Sequence, residues 1–310
     1  MKIPQTVRWG VILAVATALI SGVSIYVNAF AVKQLPDPAV YTTLKNGMAA
    51  LLLIGFAALT VDRRAIQAMP ARSWGWLAVI GIVGGSVPFV LFFTGLAQAS
   101  APSAAFIQKT LFIWVAILAV PLLRERLGLA QLGALAVLLA GQVLIINPSG
   151  VRWGSGETMI AAATLLWAVE TIVARRVLRT VPPAVVGAGR LGIGLVVLVG
   201  YLAVTGKLGG LVALTVEQLR WGVITGFLLF GYVGTWFAAL KRAPASLVTA
   251  ILVLGAPLTA ALQALQTGAI PAVPALTGQL LLLVAGAALV IPSLRRWKLT
   301  PELAPTPAGG

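Results

Sequence analysis

Four ionisable residues lie inside long apolar runs of this 310-residue chain: Lys45, Lys109, Glu170 and Arg190. On insertion scales, one charged side chain at the centre of a membrane-spanning helix costs about 2.5–3.5 kcal/mol. A residue with this cost is expected to form an ion pair, contact a ligand, or extend to the membrane surface. The chemistry indicated is therefore the recognition of charge within a membrane.

Glu170 and Arg190 are predicted to form an ion pair. Glu170 lies seven residues before Val177, near the end of one apolar run, and Arg190 lies six residues after Ala184, near the start of the next. At 1.5 Å per residue, both side chains start about 10 Å from the same membrane surface. The pair has two interpretations, a static contact that fixes helix packing and a gate or proton-titrating acid. In a third interpretation, Arg190 extends to the surface instead.

Lys45 and Lys109 have no acid at their own depth, about 10 Å from the opposite surface. Two uncompensated cations indicate a site for an anionic or zwitterionic substrate. The polar residues predicted to neighbour these charges and to hydrogen-bond a polar ligand are Asn46, Gln108, Asn28 and Tyr26. Alternatively, each lysine extends to the outer headgroups and each polar side chain bonds a neighbouring helix.

Trp167 is the aromatic residue that we expect to contact substrate. It precedes Glu170 by three residues, which places both on one helical face. An aromatic ring beside a charge suits an aromatic or amphipathic substrate. The alternative interpretation is ordinary packing.

The composition indicates a membrane protein. Hydrophobic residues make up 60% of the chain and charged residues only 9%, and the mean hydropathy is +1.02. Soluble domains carry roughly 25% charged residues. Apolar runs of about 20 residues predict ten membrane-spanning helices. The predicted spans are residues 9–32, 39–60, 73–97, 102–123, 128–147, 156–177, 184–205, 219–240, 246–267 and 273–293.

The positive charge of the chain reports its orientation. At the ends of the predicted spans and beyond them, 15 Lys and Arg residues fall on the side of both termini and 4 on the other side. By the positive-inside rule, both termini are cytoplasmic in a multi-pass inner-membrane protein. The net charge of +15 therefore indicates a bilayer partner rather than nucleic acid. The Pro- and Ala-rich tail at residues 300–310 is predicted to be disordered.

The sequence repeats itself with an offset of 145 positions at most of the matched residues. Pro38 and Pro183 are 145 positions apart, as are Lys45 and Arg190. Five spans per half place the second half upside down relative to the first. The prediction is an all-α membrane protein with two inverted five-helix repeats, at residues 9–147 and 156–293. Inverted repeats around a midplane site are typical of secondary transporters.

The residue inventory argues against an enzyme. The chain has no His and no Cys, and of its 7 acidic residues only Glu170 lies in the interior of a predicted span. Neither a metal nor a cofactor is therefore predicted. A flippase for a lipid or lipid-linked phosphate is the main alternative to a metabolite carrier, since two lysines suit a phosphate. A channel would show no saturation or counterflow.

The ordered set of motifs resembles the drug/metabolite transporter superfamily, and within it proteins with two EamA domains. Arg124-Glu125-Arg126 is similar to the family's "GER" turn, and Leu166-Trp167-Ala168 is similar to its "LWG" segment. Arg190 resembles the arginine in the second helix of the family's repeat. The resemblance implies transport of a small metabolite without ATP, often an amino acid or an amphipathic compound, with export as the favoured direction. A proton is the coupling ion that Glu170 suggests.

Overall fold

A computed structural model describes residues 5–35, 37–96, 98–99, 101–146, 153–268 and 270–295. These residues form fifteen α-helices and no β-strand. The helices are α1 (Gln5–Ala31), α2 (Pro38–Thr60), α3 (Arg63–Gln67), α4 (Ala71–Gly85), α5 (Val87–Leu96), α6 (Ala101–Lys109), α7 (Leu111–Leu123), α8 (Leu129–Ile146), α9 (Ser155–Val177), α10 (Pro183–Val204), α11 (Gly209–Val212), α12 (Val216–Arg242), α13 (Ala245–Leu252), α14 (Gly255–Thr267) and α15 (Val273–Arg295).

Ten spans of this structure are long and apolar enough to cross a membrane. Seven are single helices, and three consist of two consecutive segments: α4 with α5, α6 with α7, and α13 with α14. Short helices α3 and α11 lie between spans. The predicted all-α architecture with ten spans is therefore confirmed within the described residues. The predicted tail at 300–310 lies outside them.

Ten crossings place the start of α1 and the end of α15 on the same side, which we call the N-terminal face. The opposite side is the distal face. Their assignment to cytoplasm and exterior, made above from the charge bias, stays a prediction.

The two halves of the chain pack against each other in equivalent pairs. Helix α1 packs along α12, and its counterpart α9 packs along α4 and α5. Helix α2 packs on its own counterpart α10, and α8 packs on its counterpart α15. Close approach requires glycine at the α8–α15 crossing, since a Cβ on Gly141 would lie 2.8 Å from the carbonyl oxygen of Gly278. Small residues at such crossings are typical of membrane helix pairs.

Equivalent spans are interrupted at equivalent places. The α6–α7 span breaks at Thr110, and the α13–α14 span breaks at Val253 and Leu254. Thr110 and Leu254 are 144 positions apart, close to the offset of the repeat. Interrupted helices leave backbone groups free for ligands near the middle of a membrane. A third interruption, at Ser86 between α4 and α5, belongs to the first half alone, because the counterpart α12 is continuous.

Candidate functional site

Glu170 and Arg190 form the ion pair that the sequence predicts. The Arg190 Nε lies 3.4 Å from Glu170 Oε1, and the two side chains are only 8% and 3% exposed. Glu170 is on α9 and Arg190 on α10, at the depth of the break in the α4–α5 span. The pair therefore ties three spans together inside the protein. Its assignment to gating or coupling stays a prediction.

The Gly84 carbonyl oxygen completes this cluster. Its usual helical partner would be the amide of residue 88, but Pro88 has no N–H. Arg190 Nη2 donates to this oxygen at 3.1 Å and Trp167 Nε1 donates at 3.2 Å. Glycine is required here, because a Cβ on Gly84 would lie 2.3 Å from Glu170 Cγ. We call Gly84, Trp167, Glu170 and Arg190 the inner charge cluster.

Aromatic rings surround the inner charge cluster. Trp167 contacts Phe89 edge to face, with ring centroids 5.4 Å apart, and Phe92 at 5.7 Å. On α12, Tyr232 stacks on Trp236 and lies within electrostatic reach of both Glu170 and Arg190. Trp167 therefore joins the charged pair to an aromatic wall, an arrangement that suits the predicted aromatic or amphipathic substrate.

Lys45, the repeat counterpart of Arg190, has a different environment. Its Nζ donates to Asn28 Oδ1 at 3.4 Å and lies 5.3 Å from the centroid of the Tyr41 ring. The Tyr41 hydroxyl donates to the same Asn28 oxygen. The position equivalent to Glu170 holds Ile25, 145 residues earlier. Lys45 thus has polar neighbours but no carboxylate partner among the described residues.

Lys109 and Gln108 end α6, immediately before the break at Thr110. Both are half-buried. Their role in substrate binding stays a prediction.

Tyr26 and Asn46 lie apart from the amine of Lys45. Tyr26 lines a groove of about 590 Å³ on the distal face, formed by α1, α14 and α15. Asn46 is fully buried on α2, and neither polar atom of its amide has a hydrogen-bond partner among the residues described. Asn28, rather than Asn46, is the amide that contacts Lys45.

A set of contacts at the N-terminal face was missed by the sequence analysis. The carboxylate of Glu125 caps α13: it accepts from the backbone amides of Ala245 at 2.6 Å and Ser246 at 3.1 Å, and from the Ser246 hydroxyl. The preceding Arg124 has a left-handed backbone, with φ of 57°, which ends α7 and turns the chain. Glu125 therefore joins the end of the fourth span to the start of the ninth.

Two arginines extend this connection. Arg176 Nη2 donates to the Leu122 carbonyl oxygen at the end of α7, at 2.6 Å. Arg175 Nη1 donates to the Lys241 carbonyl oxygen at the end of α12, at 3.3 Å. Cations at helix C-termini satisfy free carbonyls and complement the helix dipole. We call Glu125, Arg175 and Arg176 the N-terminal clamp.

The clamp has no sequence counterpart in the other half of the chain. The positions equivalent to Arg175 and Arg176 are Phe30 and Ala31, 145 residues earlier. The position 144 residues after Glu125 is Ala269, which lies outside the described residues. The sequence did carry a signal: Glu125 is the single acid in a cationic turn. Its partner on α13, however, is set by tertiary packing.

An ion pair at the distal face joins the start of α2 to the segment after α10. Asp37 Oδ2 lies 2.7 Å from Lys207 Nζ. Partial burial raises the pKa of Asp37, but the hydrogen bonds from Lys207 and from the Ala39 and Val40 amides outweigh it, and the net pKa is below the usual value. The hydrogen bond to Asp37 raises the pKa of Lys207. The pair's contribution to stability is therefore lost as pH falls through the lowered pKa of Asp37 or rises through the raised pKa of Lys207.

Comparisons with known proteins agree with this architecture. The sequence profile described as the EamA-like transporter family matches the chain twice, over residues 8–147 and 154–291. One solved crystal structure is similar with a TM-score of 0.77 and 17% identity, over 92% of this chain and 97% of that one. At that identity the likeness shows the fold alone. A search of curated proteins finds no match for the chain.

Proposed function

The chain belongs to the EamA-like transporter family, and we propose that it is a secondary active carrier that moves a small metabolite by alternating access, without ATP. The observation that carries this proposal is the difference between the two faces of the protein. The N-terminal clamp joins four spans of both halves, whereas two cavities of the described structure open at the distal face. A carrier needs one closed and one accessible side at a time.

The substrate class follows from the unmatched cation of Lys45. A carboxylate on an anionic or zwitterionic substrate would supply the charge that Ile25 does not. Trp167 and its aromatic neighbours would receive an apolar or aromatic body on the other side of the site. An amino acid or amphipathic compound combines both features.

Export is the proposed direction, with a proton as the coupling ion. In this scheme the N-terminal face is cytoplasmic, as the charge bias indicates. Glu170 takes up a proton when the distal side is open and releases it when the N-terminal side opens. Protonation removes one charge of the buried pair, which loosens the inner charge cluster that joins α9 and α10 of the second half to Gly84 on α4 of the first, and so permits the halves to move.

Counterflow in proteoliposomes tests this function directly. Vesicles are loaded with single members of a panel of amino acids and amphipathic amines and acids, and uptake of the labelled compound is followed at pH 6 and pH 8. We expect saturable counterflow for at least one zwitterion, with a pH-dependent rate that Glu170→Gln makes independent of pH. Flux that does not saturate would indicate a channel and overturn the proposal.

Removal of the clamp carboxylate should open the N-terminal face. Glu125→Gln loses one of the two acceptor oxygens that cap α13, a change of about 1 kcal/mol. Because the chain has no cysteine, Thr249→Cys provides a single reporter, buried one turn inside Ser246. We expect Glu125→Gln to raise the rate of maleimide labelling at this reporter about fivefold.

Glu157→Gln is the matched control for this experiment. Glu157 also caps a helix, since its Oε2 accepts from the Gly154 amide at 3.1 Å, but it does so within α9 and at the distal face. It should leave labelling at residue 249 unchanged. Equal labelling of the parent, Glu125→Gln and Glu157→Gln proteins would show that the clamp does not hold this face closed.

A further inference from the structure

A second cavity on the distal face has features of a ligand site. It has a volume of about 190 Å³ and lies between the distal ends of α2, α5 and α10. This is the space of roughly six water molecules in the liquid, and it is smaller than sites for drug-sized ligands. It therefore suits a molecule of few heavy atoms. Of the residues proposed above for transport, Phe89 lines it as a neighbour of Trp167, whereas Lys45, Trp167, Glu170 and Arg190 do not.

Thr42 lines this cavity and has a buried hydroxyl without a hydrogen-bond partner among the described residues. The residue is 1% exposed. The adjacent Thr43 is equally buried, but its hydroxyl donates to the Ala39 carbonyl oxygen at 2.8 Å. Buried polar groups in proteins are paired with few exceptions, and an unpaired one indicates a missing partner.

The rest of the lining determines what kind of partner fits. Phe89 and Phe93 on α5 and Leu198 on α10 provide an apolar wall. The two charged lining residues, Asp37 and Lys207, form an ion pair at 2.7 Å, so the lining carries no net charge. A ligand with a net charge would find no counter-ion here without breaking this pair. A molecule with no net charge has no such cost.

We infer that this cavity binds a small amphipathic molecule with no net charge. Its hydrogen-bonding group contacts the Thr42 hydroxyl, and its apolar body lies against Phe89 and Phe93. The inference concerns binding alone, and the experiments below test it without measuring transport. It does not depend on the direction of flux or on the coupling ion.

The experiment uses the absence of native cysteine. Thr42→Cys introduces one thiol of similar size, and its reaction with the small neutral reagent methyl methanethiosulfonate is followed in detergent-solubilised protein. Benzyl alcohol, benzoate and benzylammonium serve as probes with one aromatic body and three charge states. We expect benzyl alcohol to slow the reaction at least fivefold, and the two charged probes to slow it less than twofold.

Two variants control for access and for the apolar wall. Thr43→Cys, one residue away with its hydroxyl paired in the parent, should react only after denaturation in dodecyl sulfate. Phe93→Ala combined with Thr42→Cys should reduce the protection by benzyl alcohol. The inference is overturned if the thiol at 42 is unreactive in the native protein, if no probe protects it, or if all three probes protect it equally.

Calorimetric titration provides a second readout that does not need the introduced thiol. Benzyl alcohol should bind the parent protein and the Thr43→Val variant with the same affinity. It should bind Thr42→Val at least tenfold more weakly, although this variant keeps the size of the side chain. Equal affinity for Thr42→Val would show that the Thr42 hydroxyl does not contact the ligand and would overturn the inference.

Discussion

Replacement of Arg190 by leucine is expected to lower the free energy of unfolding by about 3–5 kcal/mol, the usual cost of breaking a buried ion pair by removing one partner. Without the guanidinium, the Glu170 carboxylate remains buried with no counter-ion, and the Gly84 carbonyl loses its donor at 3.1 Å. Unfolding in detergent micelles, followed by tryptophan fluorescence against dodecyl sulfate, measures the change.

A double-mutant cycle separates the pair from its surroundings. Glu170→Gln and the double variant Glu170→Gln/Arg190→Leu complete the cycle, and we expect a coupling energy of about 1–3 kcal/mol. The double variant should be more stable than Arg190→Leu alone, because the uncompensated carboxylate is gone. Additive losses from the two single changes would show that the charges do not interact.

Arg220→Leu provides the surface control. Arg220 also pairs with an acid, Glu217, at 3.6 Å, but its side chain is 73% exposed. Exposed pairs of this kind contribute about 0–1 kcal/mol. The contrast between the two arginines would show that burial, rather than the presence of a pair, sets the cost.

The inner pair was predictable because hydropathy fixes depth. The ten spans follow from apolar runs alone, and two residues at equal depth on consecutive spans can pair when both face the interface between the spans. The third member of the cluster was not predictable. The pairing of Arg190 and Trp167 with the Gly84 carbonyl depends on Pro88, which removes the donor, and on how α4 crosses α9 and α10.

The clamp and the unpaired threonine were missed for a related reason. Glu125 lies in a loop, and its contact with the start of α13 depends on tertiary packing that sequence patterns do not predict. Thr42 and Thr43 are neighbours of identical type, and only the packing of α5 and α10 distinguishes an unpaired hydroxyl from a paired one. Sequence patterns give the depth and direction of a helix, whereas contacts between distant helices decide which polar group is satisfied.

Lys45→Met should raise the apparent KM for a carboxylate substrate by at least about tenfold, since a hydrogen bond to a charged group contributes about 1.5–3 kcal/mol. Lys109→Met should also raise the apparent KM for a carboxylate substrate if both lysines face the substrate. A substrate without a negative charge should be transported as before. Initial rates of counterflow over a range of substrate concentrations provide these values.

Arg220→Met is the control for loss of positive charge near the distal face. Arg220 is 73% exposed near the start of α12 and lines neither distal cavity, so its removal changes the net charge without touching a candidate site. It should leave the KM unchanged. If Lys45→Met and Lys109→Met also transport a carboxylate with the parent's KM, the two lysines only extend to the membrane surface.

Asn28→Asp is the sharper test of why Lys45 lacks an acid. The substitution keeps the shape of the side chain and places a carboxylate where the amide oxygen now lies, 3.4 Å from Lys45 Nζ. The new ion pair would mimic the Glu170–Arg190 pair of the other half and occupy the cation that the substrate needs. We therefore expect Asn28→Asp to raise the KM for a carboxylate substrate as strongly as Lys45→Met does, although every positive charge is retained. In this interpretation, the second repeat supplies its own counter-ion to Arg190, whereas Lys45 in the first repeat receives a counter-ion from the substrate. An Asn28→Asp protein with an unchanged KM would disprove that division between the halves.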